Sequence, residues 1–110
     1  MEEKILGGAT LWARQTLESE IFCKKHAEWF KIWFYIVNKV NHIETKDFKR
    51  GQGFFNYEWI AESCDTSKMR IDHCIRWLKV TKQIATQKAT QKATRGLVIT
   101  VLNYDTYQIL

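Results

Sequence analysis

The sequence has no proline, only five glycines among 110 residues and no long apolar run. With 45% hydrophobic residues, this scarcity excludes a collagen-like or low-complexity chain and indicates a globular protein. The strongest apolar run, Ile32 to Val37, is far shorter than the roughly 20 residues that span a bilayer, so we predict no membrane segment. We predict one domain over residues 1–110, with residues 1–10 as a flexible leader.

Cysteine is also scarce. Cys23, Cys64 and Cys74 are an odd number and lack the spacing of a disulfide framework. The first residues are charged and do not resemble a secretory signal, so we predict a cytoplasmic protein with reduced thiols. Cys23-x-x-His26 has metal-ligand spacing, but no second such pair lies nearby. We therefore predict no metal site and no other cofactor.

Patterns typical of catalysis are weak. No serine or cysteine has the neighbours of an activated nucleophile, and Glu18 and Glu20 have the spacing of a solvated helix surface. Residues 50–53, Arg-Gly-Gln-Gly, lack the glycine spacing and the Lys-Ser/Thr pair of a phosphate-binding loop. We therefore predict that this protein is not an enzyme.

What the chain does have is positive charge concentrated in one segment. The formal net charge is +5. Between Ser67 and Arg95, eight basic residues stand against one acidic residue, Asp72, a balance of +7. The remaining nine basic and eleven acidic residues leave −2 for the rest of the chain. Such a concentration is typical of a nucleic-acid surface.

Residues 67–82, within this segment, have the periodicity of a helix. The apolar positions follow the pattern i, i+3, i+4 and i+7, at Ile71, Cys74, Ile75 and Leu78. Residues 65–67, Asp-Thr-Ser, supply candidate N-cap oxygens. A helix with one buried stripe and long donors on its other side suits the major groove of DNA. An ordinary surface helix with a solvated basic face has the same pattern.

Apolar periodicity also predicts three other helices. These cover Ala13–Phe22, Ala27–Asn41 and Tyr57–Cys64, the last capped by Asn56. Ala27–Asn41 is apolar around most of its circumference, which is typical of a helix at the centre of a fold.

Three segments have the composition of strands. Residues 50–55 predict a short strand, and Leu97–Tyr104 a longer one rich in β-branched residues. Residues 84–95 contain ATQK twice and predict the partner strand of a β-hairpin whose tip is at Arg95-Gly96. The alanines at 85, 89 and 93 would also line one face of a helix, so that alternative stays open.

The predicted order helix, helix, strand, helix, helix, strand, strand is that of a winged helix-turn-helix. This is an α+β fold, mainly helical, with a small antiparallel β-sheet and a β-hairpin wing. Residues 67–82 would be the recognition helix and residues 84–96 the basic wing. The DNA-binding residues predicted on these two elements are Ser67, Lys68, Met69, Arg70, His73, Arg76, Lys79, Lys88, Lys92 and Arg95.

We expect the two elements to divide the work. Arginines of the recognition helix give bidentate contacts to guanine in the major groove. Lys88, Lys92 and Arg95 on the wing contact phosphates or the minor groove and add affinity more than specificity. Ser67 and the backbone N–H groups beside it are placed to hold one phosphate.

Several segments, taken in order, also resemble a known family. They are Glu18–Phe22, Phe30–Trp33, Asn41-His42, Lys49–Gln52 and Asn103–Gln108. Their order and spacing, from about Leu11 to Gln108, are similar to the N-terminal winged-helix domain of phage and prophage replication-initiation proteins. These are the replisome organisers, which are related to the DnaD-like primosome group.

The resemblance implies binding to double-stranded DNA, typically at a replication origin. It also implies a C-terminal region that engages a helicase loader or helicase. That region is missing from this sequence, so we expect either one domain of a larger protein or a small stand-alone phage protein. Asp72 stands where the family often has a basic residue, which leaves the base contacts open.

Two other functions stay open. One is a transcriptional regulator on the same fold. The other is a protein-interaction module in which the basic face is incidental. The sequence is compatible with a monomer or with a homo-oligomer.

Overall fold

The computed structural model describes residues 8–108 and contains a three-stranded antiparallel sheet beside a group of helices. A 3-10 helix, Arg14–Glu18, precedes the α-helices, which are α1 (Glu20–Cys23), α2 (Ala27–Lys39), α3 (Tyr57–Cys64), α4 (Lys68–Val80) and α5 (Tyr104–Tyr107). The strands are β1 (Gln52–Phe55), β2 (Ile84–Gln91) and β3 (Thr94–Val101), and β3 lies between the other two. The predicted α+β class with a small antiparallel sheet is confirmed. Within residues 8–108, every helix is too short or too polar to cross a membrane.

The two ends of the described chain are joined to each other. The Leu11 N–H donates to the side-chain oxygen of Gln108 at 2.8 Å, and the Gln108 amide donates back to the Leu11 carbonyl at 3.0 Å. The Thr10 hydroxyl donates to Asn38 at 2.8 Å. Residues 1–7 of the predicted leader lie outside the described residues.

The predicted helix Ala13–Phe22 is wrong as a continuous element. Ser19 has an extended backbone, with ψ 151°, and separates the 3-10 helix from α1. Its hydroxyl donates to the Thr16 carbonyl at 2.7 Å, a local bond that competes with a helix. Leu17 is 62% exposed, whereas Ile21 is buried. Too little apolar surface is therefore buried along this segment to hold a longer helix together.

Two helices, α2 and α4, provide most of the buried helical side chains. As predicted, α2 is central, with Ile32, Trp33, Ile36 and Val37 buried. Phe34 of α2 is nevertheless 46% exposed and stacks on Trp12 at 5.2 Å between ring centroids.

The predicted stripe of α4 is confirmed in full, because Ile71, Cys74, Ile75 and Leu78 are all buried. Full burial of an isoleucine or leucine side chain contributes roughly 1.5–3 kcal/mol. The stripe therefore fixes which side of α4 faces outward.

Both predicted caps of the α3–α4 pair are confirmed. The Asn56 side chain accepts a hydrogen bond from the Trp59 N–H at 2.9 Å, at the start of α3. The Ser67 hydroxyl oxygen accepts one from the Arg70 N–H at 3.2 Å, at the start of α4. Asp65, with φ 53°, adopts the left-handed conformation that ends α3 and turns the chain.

β2 and β3 form the predicted β-hairpin, so the helical alternative for residues 84–95 is wrong. Pairing runs from Ile84 opposite Val101 to Gln91 opposite Thr94. The tip is at residues 92 and 93, Lys-Ala, both with positive φ, and not at Arg95-Gly96 as predicted. We refer to β2, this tip and β3 as the hairpin.

Gly96 lies inside β3 for a packing reason. A Cβ at this position would clash with the Phe55 carbonyl oxygen and lie 2.8 Å from the Phe54 ring. The glycine therefore permits close approach of β1 and does not form the turn. The predicted strand Leu97–Tyr104 also ends early, at Val101, because Asn103 with φ 61° turns the chain into α5.

Candidate nucleic-acid interface

In β2, the residues of the ATQK repeat alternate between the two faces of the sheet. Successive side chains of a strand point to opposite faces, so a four-residue repeat places Thr and Lys on one face and Ala and Gln on the other. Thr86, Lys88 and Thr90 follow the buried Ile84 on the inner face of β2. Arg95 pairs with Thr90 across the hairpin and therefore shares that face. The sheet thus gathers the strand cations on the side that faces α4.

An open groove of about 1020 Å³ lies between the hairpin and α4. The hairpin contributes Lys88 and Arg95 to its lining, and α4 contributes Arg76 and Lys79. Asp72 of α4 also lines the groove, as do Asn56 and Tyr57 at the start of α3. We call this the α4–hairpin groove. Four of the ten predicted DNA-binding residues therefore meet in it.

Asp72 organises the α4 side of the groove. Its Oδ1 accepts a hydrogen bond from the Tyr57 hydroxyl at 2.9 Å, and its Oδ2 lies 2.7 Å from Arg76 Nε. Burial, together with the hydrogen bond to Asp72, raises the pKa of Tyr57 to about 12, so the phenol stays protonated as the donor. Tyr57 is not among the ten residues predicted to bind DNA. The i,i+4 spacing of Asp72 and Arg76 was the available signal for their pairing.

A second set of predicted residues lies on the other side of α4. Met69, Arg70 and His73 line a separate cleft of about 350 Å³ together with residues 26–29 at the start of α2. Arg70 Nη1 is 3.1 Å from the Glu28 carboxylate. Nine residues at 100° each place Arg70 about 180° from Lys79 around the helix. Five of the predicted residues are thus divided between two sides of α4, with Arg76 and Lys79 on one side and Met69, Arg70 and His73 on the other.

The three remaining predicted residues, Ser67, Lys68 and Lys92, do not line this groove. Lys68 is 3.2 Å from Glu58 and lines a small cleft with Arg95. The Ser67 oxygen is occupied as the cap of α4, and Lys92 is exposed at the hairpin tip. Within residues 8–108, four predicted cations take part in no ion pair: Lys79, Lys88, Lys92 and Arg95.

The cysteines have structural surroundings. Burial raises the pKa of the Cys64 thiol, and raises that of Cys74 to about 12, so both stay protonated at neutral pH. The Cys23 thiol donates to the Leu17 carbonyl at 2.8 Å. Among the residues that the structure describes, no three His, Cys, Asp or Glu side chains are grouped to hold a metal ion.

Chemically, the α4–hairpin groove is a set of long cationic donors with threonine hydroxyls between them. Three of the four cations are free of ion pairs within the described chain, and the fourth, Arg76, is paired with Asp72. Comparison with protein-family models, with curated proteins and with solved structures gives no match for this chain. The interpretation of the groove therefore depends on its own residues.

Proposed function

We propose that this chain is a winged-helix domain that binds double-stranded DNA sequence-specifically through the α4–hairpin groove. The observation that carries the proposal is the meeting of four cations from two separate elements, Arg76 and Lys79 with Lys88 and Arg95, in one groove. Cations that neutralise phosphates release the counterions condensed on DNA, and this release favours binding.

The dimensions of α4 suit a duplex. It has 13 residues, so it is about 20 Å long at 1.5 Å per residue. The DNA major groove, about 12 Å wide, admits an α-helix. With α4 in that groove, the hairpin lies beside the sugar–phosphate backbone, where Lys88, Lys92 and Arg95 contact phosphates. Ser67 and Lys68, at the start of α4, approach a phosphate on the opposite edge of the DNA major groove.

The far side of α4 contributes less in this arrangement. Met69 and His73 are exposed and extend the surface of the helix. Arg70 is paired with Glu28, whose negative charge opposes the approach of a phosphate. We therefore assign most of the binding free energy to the cations of the α4–hairpin groove.

The resemblance to replication-initiation proteins supports a more specific role. On that basis the duplex is a replication origin, and a helicase loader or helicase is the protein partner. A transcriptional regulator would use the same groove, so only the identity of the target site separates the two roles.

The test is a binding titration of a fluorescent 20-base-pair duplex at several salt concentrations. We expect the logarithm of the affinity to fall linearly with the logarithm of salt concentration. Lys88→Ala removes one phosphate contact and should reduce that slope by about 0.9. Lys31→Ala is the matched control, because Lys31 is an exposed lysine of α2 that does not line the groove.

Two results would contradict the proposal. One is no duplex binding at low salt, which would favour a protein-interaction module. The other is an equal loss of affinity from Lys88→Ala and Lys31→Ala, which would show that any surface lysine contributes alike.

A further inference from the structure

A carboxylate in a groove for a polyanion needs an explanation, because it repels phosphate. Asp72 is the only acidic residue between Ser67 and Arg95, and it lines the groove with its side chain 33% exposed. Both of its oxygens have partners, one the Tyr57 hydroxyl and the other Arg76 Nε. These two contacts connect α3 to the guanidinium of α4.

The contact to Arg76 is made at one edge of the guanidinium. Nε is held beside the carboxylate at 2.7 Å, and the side chain is 75% exposed. Within residues 8–108, the two terminal amino groups of Arg76 donate no hydrogen bond, and the ion-pair contact with Asp72 is at Nε. They form the fork that binds two acceptors at once.

Tyr57 in turn restrains Asp72. Tyr57 begins α3 and is partly buried against the core, so its hydroxyl is a fixed donor. An arginine restrained through a carboxylate loses less rotamer freedom when it binds than a free one does. The restraint favours an acceptor pair with one orientation, whereas a phosphate can be approached from many directions.

We infer that Arg76 contacts a guanine in the major groove, and that Asp72 and Tyr57 are positioning residues that orient its guanidinium for that base. This inference rests on the proposed function. Guanine presents O6 and N7 as two adjacent acceptors that match the free fork of Arg76. Asp72 lowers the attraction of the groove for phosphates in general, and it raises the preference for one base.

The experiment first selects bound sites from random duplexes. It then compares the selected site with duplexes in which each guanine is replaced in turn. For the unaltered chain, we expect one replacement to weaken binding by about 10- to 100-fold. Arg76→Ala and Arg76→Lys should both abolish that preference and leave the other positions unchanged. Arg76→Lys keeps the charge and should also keep the affinity for unrelated duplexes.

Asp72→Asn gives the decisive measurement, because two effects of opposite sign are expected. It removes a negative charge, so affinity for unrelated duplexes should rise, while the preference for the guanine falls several-fold. Tyr57→Phe should lower the same preference by a smaller factor. A general loss of structure would lower both quantities, and thermal unfolding of each variant checks this directly.

Two controls complete the design. Arg95 lines the same groove and has no carboxylate partner among residues 8–108, so Arg95→Ala should weaken all duplexes alike and leave base preferences unchanged. Asp72→Asn should have no effect on base preference when combined with Arg76→Ala. An unchanged preference in Arg76→Ala, or an Asp72→Asn effect on it that persists without Arg76, would overturn the inference alone. No duplex binding by the unaltered chain would overturn the proposed function, and the inference with it.

Discussion

α4 and the hairpin hold their cations differently. On α4, the side chains of Lys68, Arg70 and Arg76 lie 2.7–3.2 Å from carboxylate oxygens, and within residues 8–108 only the fourth basic residue, Lys79, takes part in no ion pair. On the hairpin, no ion pair within residues 8–108 involves Lys88 or Arg95. A guanidinium restrained by a carboxylate presents its N–H groups in a fixed direction. A cation without such a partner contributes its positive charge in any orientation. Under the proposed function, α4 would therefore supply selectivity and the hairpin affinity.

The two elements also differ in how they are attached to the core. α4 has a continuous buried stripe along its length. In the hairpin, the buried residues Ile84, Ile99 and Val101 lie near its base. None of residues 85–98 is fully buried. The outer hairpin is therefore held mainly by strand pairing, with half-buried Leu97 as its contact with the core.

Leu78→Ala tests the attachment of α4. Leu78 is fully buried, so we expect the free energy of unfolding to fall by about 2–5 kcal/mol, because transfer energy is lost and a cavity remains. Urea unfolding measures it. Thr90→Ala, on the outer hairpin, should change stability by less than about 0.5 kcal/mol. Similar losses of stability in Leu78→Ala and Thr90→Ala would show that α4 and the outer hairpin do not differ in their attachment to the core.

Alkaline pH should weaken α4 and not the hairpin. The pKa of Cys74 is raised by burial from 9.0 to about 12, so the thiol favours folding below pH 9. That contribution is lost as the pH rises from 9 toward 12, and one pKa unit corresponds to about 1.4 kcal/mol. Urea unfolding at pH 8 to 11 measures the decline.

Cys74→Ala should be less stable at pH 8 and should lose less stability above pH 9. The decline that remains in this variant belongs to the other groups whose pKa is raised by burial, which are Cys64, Tyr57 and Tyr104. An identical pH dependence with and without the Cys74 thiol would contradict this assignment.

Gly96→Ala tests the hairpin. Its added Cβ would meet the Phe55 backbone, which cannot move as a side-chain end can, so we expect a loss of about 1–3 kcal/mol. Ala93→Gly at the tip is the control and should be neutral or slightly stabilising, because Ala93 has φ 64°. Chemical denaturation of both variants provides the comparison. Equal stabilities would show that β1 and β3 can separate without cost.

Glu28→Gln should have the smallest effect. It removes the partner of Arg70, and an exposed pair of this kind contributes about 0–1 kcal/mol to stability. Duplex affinity should rise slightly, because a negative charge near α4 is lost. A large fall in duplex affinity would show that the side of α4 facing α2 contributes more to binding than we propose. The salt titration used for Lys88→Ala measures it.

Local patterns predicted part of this molecule well. The periodicity of α4 and the caps at Asn56 and Ser67 involve neighbours in sequence, and all three are confirmed. Gly96 misled the prediction of the hairpin tip, because its close contact is with β1 and not with a turn. A contact between strands that are distant in sequence cannot be predicted from a local sequence pattern.

The arrangement of the site was less accessible from the sequence. The contact of Arg70 with Glu28 joins residues 42 apart, and that of Tyr57 with Asp72 joins residues 15 apart. The charge count located the basic segment but could not show which cations were already paired. The packing of α4 against α2 and α3 decides the pairing of Arg70 and Lys68, whereas the pairing of Arg76 follows from its i,i+4 spacing from Asp72.

β2 lies at the outside of the sheet. Within residues 8–108, no strand pairs with its outer edge, which runs for eight residues without proline. Such an edge is a template onto which another chain can add a strand, and lysines are among the residues that discourage this. Lys88 and Lys92 would then have a second role, which is to prevent the β2 edges of two molecules from pairing. A variant that neutralises both should be checked for self-association before any loss of binding is attributed to phosphate contacts.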